Sequence, residues 1–218
     1  MMKINIRHER SRDRRKVENL TREAFWNLYV PGCSEHFVLH NMRTHKDFIP
    51  ELDLVATGDG QIIGNIVYTR GKVITKSGSR EVISFGPVSV LPPFQGKGIG
   101  SALIGISLHK ACELGYKIVC IYGNPKLYSR FGFRCAEKYD ITNSEGKFAA
   151  CLMTLELVSG AARKLSGRFV ESPVYQVDEN ALNKFDAAFP PREKLITESQ
   201  KEFQILAGLT YSPGKTGL

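Results

Sequence analysis

A chain of 218 residues, 42% hydrophobic and 24% charged, has the size and balance of one soluble domain with a real core, or of one domain with an appendage. No window is apolar enough for a membrane span, the basic start MMKINIRHERSRDRRK lacks the apolar core of a signal peptide, and five scattered cysteines without a C-x-x-C pattern point to reduced thiols in the cytoplasm rather than to a disulfide framework. The net charge of +8 suits an anionic partner: nucleic acid, an acidic surface or a polyphosphate.

KINIRH alternates like a half-buried strand. SRDRRKVENLTREAFWNLY predicts a helix capped by Ser11, with Val17, Leu20, Ala24 and Leu28 as its apolar stripe. Its cluster of Arg10, Arg12, Arg14, Arg15 and Lys16 has no interleaved aromatic residue, so no base-stacking platform is indicated and nucleic acid is not the expected partner. PGCSEHFVLHNMRTH predicts a turn and a second helix. His36 and His40 share a face of it, a spacing that suits a metal, but H-E-x-x-H is absent and no third ligand is evident, so no metal is expected. A structural histidine or one lining an acceptor pocket fits better.

ELDLVATGDGQIIGNIVYTRGKV predicts two strands joined at an Asp-Gly turn. REVISFGPVSVL is another strand, interrupted by Gly86 and Pro87; this is an ordinary bulge, or a splay that turns unpaired amides toward an extended, amide-bearing ligand. GIGSALIGISLHKACELG predicts a helix with Ile99, Ala102, Leu103 and Ile106 toward the sheet and Ser101, Gly105, His109 and Glu113 as a polar stripe. A helix between the VSV strand and the buried strand YKIVCIYG implies a right-handed parallel crossover. PKLYSRFGF is a turn or short helix leading into a strand, and KFAACLMTLELV a last strong strand. After about residue 158 the pattern weakens. DENALNKFDAAF carries Leu182, Phe185 and Phe189 on one face, and Thr197 with Gln200 has capping-box spacing. The expected organisation is a mixed α/β domain over 1–158 and a packed extension over 159–218.

The stretch PPFQGKGIGSAL carries the chemistry. Gly96, Gly98 and Gly100 let a ligand approach the backbone where a helix begins, and a helix start offers unpaired N–H groups and partial positive charge. That is a cradle for phosphate, with Lys97 as an added cation. Walker A spacing is absent, and a dinucleotide fingerprint would need glycine at Ser101 or Leu103. A glycine-rich turn with no ligand is the alternative. A splayed strand feeding a phosphate cradle would suit one ligand with an amide-bearing arm and a diphosphate.

VSVLPPFQGKGIGSALI resembles the acetyl-coenzyme A motif of the GNAT N-acetyltransferase superfamily, Q/R-x-x-G-x-G/A, with Gln95, Gly98 and Gly100 in order. LYSRFGF resembles the second motif of that superfamily, a tyrosine four residues before Gly-Phe. CSEHFVLHNMR, FIPELDLVA and GNIVYT are similar to a bacterial small-substrate branch with a C-terminal extension. The resemblance covers roughly residues 3–157 and implies a mixed, centrally splayed β-sheet flanked by helices, with acetyl-CoA as co-substrate.

It further implies that Val88, Ser89 and Val90 offer backbone groups to the pantetheine and acetyl carbonyl, one amide serving as oxyanion donor. Gly96, Lys97, Gly98, Ile99, Gly100 and Ser101 would hold the diphosphate, with Gln95 bracing the loop. Tyr128 matches the tyrosine that protonates the departing thiolate; packing against Phe131 and Phe133 is the alternative. Asn124 departs from the usual position of a cofactor-binding asparagine and is equally a turn residue. Glu35, His36, Glu51, Glu81 or water could take the amine proton.

The expected activity is acetyl transfer from acetyl-CoA to a primary amine by direct attack in a ternary complex, since no cysteine shows a histidine partner by motif. A small-molecule amine is the expected acceptor, without a membrane partner; a homodimer stays open. A non-catalytic acyl-CoA sensor and a basic nucleic-acid-binding protein are the rivals.

Overall fold

In the computed structural model, which describes residues 3–214, the alternation in KINIRH becomes strand β1 (Ile4–His8). The chain divides into two compact units. The first takes the chain up to Thr69, Phe85–Lys110 and Ser172–Lys201; the second takes Arg70–Ser84, Ala111–Glu171 and the residues from Glu202 on.

In the first unit β1 pairs antiparallel with β2 (Leu54–Gly58), and β2 with the first half of β3 (Gln61–Thr75) across the Asp59-Gly60 turn. Strand β4 (Gly78–Val90) is the next neighbour of β3. Helix α1 (Arg14–Phe25) starts later than Ser11 implies. Asp13 takes the capping role instead: its carboxylate accepts from the Arg10 N–H (2.9 Å) and from Arg7 (2.6 Å), which tightens residues 11–13 into a 3-10 turn. The helix also stops short of Leu28. Asn27 adopts a left-handed φ of 60°, and its side-chain oxygen accepts from the N–H groups of Gly32 and Leu195.

Alternation along β3 puts helices on opposite faces. Tyr68 bonds Ser107 of helix α3 (Ile99–Glu113) at 2.8 Å, whereas Asn65, of opposite parity, accepts from Thr21 of α1 at 3.2 Å. The sheet-facing side of α3 differs from the expected one. Ile106 is 41% exposed and Ser107 takes its place, buried, because the Ser107 hydroxyl has both Tyr68 and the Ile104 carbonyl (3.0 Å) as partners.

Helix α2 (Glu35–Met42) and helix α5 (Glu179–Asp186) meet at a buried charge. Asp186 accepts from Arg22 at 2.6 and 3.1 Å and lies 2.9 Å from His36 Nε2, while Phe185 and Phe189 pack on the His36 ring. Thr197 and Gln200 do not form a capping box at the start of helix α6 (Glu198–Gly208); both side chains donate to the Asn27 carbonyl.

Asp53 lies near Arg43, whose guanidinium is held between Glu9 (2.5 and 2.9 Å) and Glu18 (2.8 Å). Burial, then a hydrogen bond with Glu9, pushes the Asp53 carboxyl up to about 8 from an ordinary 3.8. The folded chain therefore keeps a proton that the unfolded chain releases, and stability is lost as pH rises from about 4 to about 8. His36, pulled down to about 4 by burial from 6.5, acts with the opposite sign, but only below 6.5. Asp53→Asn is expected to make the fall of Tm between pH 6.5 and 8.5 shallower. Thermal melts across that range check it; parallel curves would contradict it.

In the second unit the rest of β3 pairs antiparallel with β10 (Gly167–Val170), which runs parallel to β7 (Ile141–Thr142). The first part of β4 pairs parallel with β5 (Ile118–Tyr122) at Ile83↔Val119, as the crossover requires. β5 continues antiparallel to β9 (Leu152–Glu156), and β9 to β6 (Arg134–Cys135). Val73, Val82, Ile118, Cys120, Leu152 and Phe169 form its core. KFAACLMTLELV is broken in two: β8 (Phe148–Ala149) pairs with β11 (Thr210–Tyr211), because the Ala150 N–H turns to the Leu209 carbonyl and the Cys151 carbonyl to the Gly123 N–H.

Candidate active site

In the first unit β4 runs through a cis Gly86–Pro87 peptide to Val90. Val88 and Val90 are half-buried, and Ser89 is 1% exposed with its hydroxyl donated to Thr21 (3.1 Å). That side chain is committed to packing, so only the main chain of Ser89 is left for a ligand.

A 3-10 turn, Pro92–Phe94, then leads into the glycine loop. Gln95 Nε2 donates to the Val90 carbonyl at 2.9 Å and ties the loop to the strand. Lys97 folds back in the same way: its ammonium donates to the Pro93 carbonyl (2.9 Å) and lies over the Phe94 ring. Its charge is therefore anchored at the loop rather than free to swing away.

Gly96 and Gly98 have φ of 73° and 81°, a left-handed conformation that costs an L-residue roughly 1–2 kcal/mol. A Cβ at either position would meet nothing within 4 Å, so the space beside both glycines is open. The Ala102 N–H makes a ladder bond, to the Gly98 carbonyl at 2.9 Å. The N–H groups of Ile99, Gly100 and Ser101 precede it and have no acceptor within the helix. Ile99 is buried and pins the turn; Ser101 is half-buried. Backbone donors, the positive end of α3 and a tethered lysine thus lie within one short loop, a set of groups that suits a diphosphate.

In the second unit Asn124 starts helix α4 (Pro125–Tyr128). Its side-chain oxygen accepts from the Lys126 N–H (2.9 Å) and its carbonyl from the Tyr128 N–H (3.1 Å), so it sets where Tyr128 stands. The Tyr128 ring meets buried Phe133 edge-on at 5.9 Å and packs closely against Gly123. A Cβ on Gly123 would stand 2.6 Å from Tyr128 Cδ2. Sequence reasoning missed Gly123; the one available signal was a glycine five positions before the motif tyrosine. Tyr122, at the end of β5, packs on Phe169 at 5.8 Å, and burial, then the Glu171 charge, pushes its phenol above the usual range.

The candidate bases fall in different settings. Glu35 accepts from the Ser34 N–H at 3.0 Å, and burial raises its carboxyl. His36 is fully buried, and burial keeps it neutral near pH 7. Glu51 is exposed, and Glu81 is exposed and 3.9 Å from Arg70. Glu171, which no sequence pattern flags, has its carboxyl pushed up to about 7 by burial. Contrary to the motif-based expectation, Cys33 does have a histidine partner: its sulfur lies 3.4 Å from His36 Nδ1. Burial and Glu35 push that thiol far above its usual range, so the sulfur stays protonated. Among the described residues no group of three or more His, Cys, Asp or Glu side chains could hold a metal, and no helix is long and apolar enough to cross a membrane.

Residues 51–135, which include both the glycine loop and Tyr128, match the family model described as an acetyltransferase (GNAT) domain. The N-acetyltransferase YhbS of Escherichia coli is 31% identical over 137 residues, covering 62% of this chain and 77% of that protein. The chain belongs to the GNAT acetyltransferase family. A structure of Escherichia coli YhbS in complex with CoA superposes with a TM-score of 0.72 at 25% identity, over 81% of this chain and 94% of that one. A GNAT family acetyltransferase from Brucella melitensis in complex with acetyl-CoA superposes with a TM-score of 0.64 at 26% identity, over 80% and 99%. The mixed sheet flanked by helices is the GNAT fold, and the chain is an acyltransferase of that family.

Proposed function

We propose that this GNAT protein transfers the acetyl group of acetyl-CoA to the primary amine of a small molecule, by direct attack in a ternary complex. The observation that carries the reading is the loop from Gln95 to Ser101: two left-handed glycines around open space, at the start of a helix whose first N–H groups lack intrahelical acceptors. In this reading those amides and Lys97 hold the diphosphate. The main chain of Val88, Ser89 and Val90 pairs with the pantetheine and polarises the acetyl carbonyl. Tyr128 gives its proton to the sulfur as the C–S bond breaks. Asn124 serves by capping α4, which holds that tyrosine.

Direct attack is favoured over an acetyl-cysteine route because Cys33, which lies beside a histidine, is buried with its proton held on. The nucleic-acid rival loses ground as well. Arg15 of the basic cluster donates to the Ala188 carbonyl and lies over the Phe189 ring at 3.6 Å. A cytoplasmic location, with the five cysteines reduced, goes with this reading.

The test is an acetyl-CoA titration followed by a primary-amine panel with free-thiol readout. Saturable binding with amine-dependent thiol release is expected. Binding without release for any amine would favour a sensor.

A further inference from the structure

Ser172 opens a 3-10 turn, Pro173–Tyr175, within the first unit. Its buried hydroxyl donates to the Asp47 carboxylate (2.8 Å), lies 3.4 Å from His45 Nδ1 and accepts from the Val174 N–H (3.4 Å). The Gln176 N–H closes the turn on the Pro173 carbonyl at 2.9 Å. The residues next to Asp47 are themselves tied to β3: Phe48 bridges to Thr69, and the Ile49 N–H donates to the Tyr68 carbonyl at 3.1 Å. So braced, the turn brings the Tyr175 hydroxyl to the sheet. That hydroxyl donates to the Gly86 carbonyl at 3.3 Å and accepts from the buried Thr69 hydroxyl at 3.4 Å.

Gly86 stands two residues before Val88, where the main chain assigned to the pantetheine begins. Its φ of 148° is one that favours glycine, the residue whose backbone turns most freely. A strand that must start from such a residue at a defined place needs a hold from outside. The rest of the segment has one at each step: the Ser89 hydroxyl on Thr21 (3.1 Å), Gln95 on the Val90 carbonyl (2.9 Å), and the Leu91 N–H on the Ile63 carbonyl (3.0 Å). At Gly86 the matching hold comes from Tyr175, which lies outside the residues 51–135 that match the family model.

We propose that Tyr175 is a positioning residue for the cofactor strand: by holding the Gly86 carbonyl it fixes the main chain of Val88–Val90 before acetyl-CoA arrives. This rests on the acetyl-transfer reading. A ligand that pairs with a strand through main-chain hydrogen bonds gains most when the strand's amides and carbonyls already stand in place. Ordering that the free protein has made is not charged again to binding, so the held strand takes the pantetheine more tightly. Tyr175 acts through Gly86, two residues ahead of the strand it places.

Two measurements on the full chain test this. Y175F removes the hydroxyl and keeps the ring; T69V removes the other hydroxyl of the pair and leaves the Tyr175–Gly86 bond to form. In 15N relaxation of the free protein, the order parameters of the Val88, Ser89 and Val90 amides are expected at about 0.85 in wild type and T69V and below about 0.7 in Y175F, with those of β1 equal in all three. In calorimetric titration Y175F is expected to bind acetyl-CoA about tenfold more weakly, and T69V within about twofold of wild type. The inference is overturned by Y175F with the three order parameters intact, by equal loosening of β1, or by undiminished acetyl-CoA affinity. A T69V that matches Y175F overturns it too, since the bond to Gly86 is then not the hold. If Y175F alone loosens the strand but wild type does not bind acetyl-CoA, the hold on the strand stands and the acetyl-transfer reading falls.

Discussion

Tyr128→Phe is expected to lower kcat by about 100- to 10,000-fold while leaving acetyl-CoA affinity within about twofold. The substitution removes one oxygen and keeps the ring. The edge-on contact with Phe133, the close contact with Gly123 and the Asn124 cap are all made by atoms that phenylalanine retains. Thermal melts of the variant check that the fold is kept. What is lost is the proton for the departing sulfur. An alkyl thiolate is a poor leaving group at neutral pH, and a phenol that keeps its proton there can donate as charge develops. The variant should be rescued better by thioesters whose thiol is more acidic. Unchanged kcat with chemistry shown to be rate-limiting would remove Tyr128 from the mechanism.

Gly98→Val is expected to weaken acetyl-CoA binding at least about 100-fold, equivalent to about 2.7 kcal/mol. Two effects add. The φ of 81° is strained for any L-residue, and more so for a β-branched one. The isopropyl group would also project from the loop into space that no protein atom fills. Gly105→Ala is the control: Gly105 is exposed on α3, has no left-handed φ and no neighbour within 4 Å of a Cβ. It should leave affinity unchanged and stabilise the helix slightly, since alanine is the better helix former. Calorimetric titration of both variants separates the loop's chemistry from a general cost of altering α3.

These expectations start from features already legible in the chain. Period-two alternation located β1 to β3, the Asp-Gly pair located their hairpin, and glycine spacing before an apolar run located the loop at the start of α3. All of these signals are local. The misses depended on side-chain partners that periodicity does not show, several of them far away in sequence. Ile106 is exposed because Tyr68 supplies a partner that makes buried Ser107 acceptable on α3. Ser11 lost the cap because Arg7, on the preceding strand, fixes Asp13. His36 reads as half of an i, i+4 pair, but its neighbours are Cys33 and Asp186, the latter brought back by the C-terminal extension. Glu171 had no signal at all: burial raises its carboxyl, and a lone glutamate after a weak strand pattern looks like any surface residue.

In the proposed function, main-chain nitrogens between Gly96 and Ser101 grip the diphosphate of acetyl-CoA. A crystal structure of the protein grown with acetyl-CoA tests it most directly. Diphosphate oxygens are expected within about 3.2 Å of those nitrogens, with the Gln95 side chain still bonded to the Val90 carbonyl. Diphosphate density placed elsewhere on the molecule, with the loop amides facing only solvent, would contradict it.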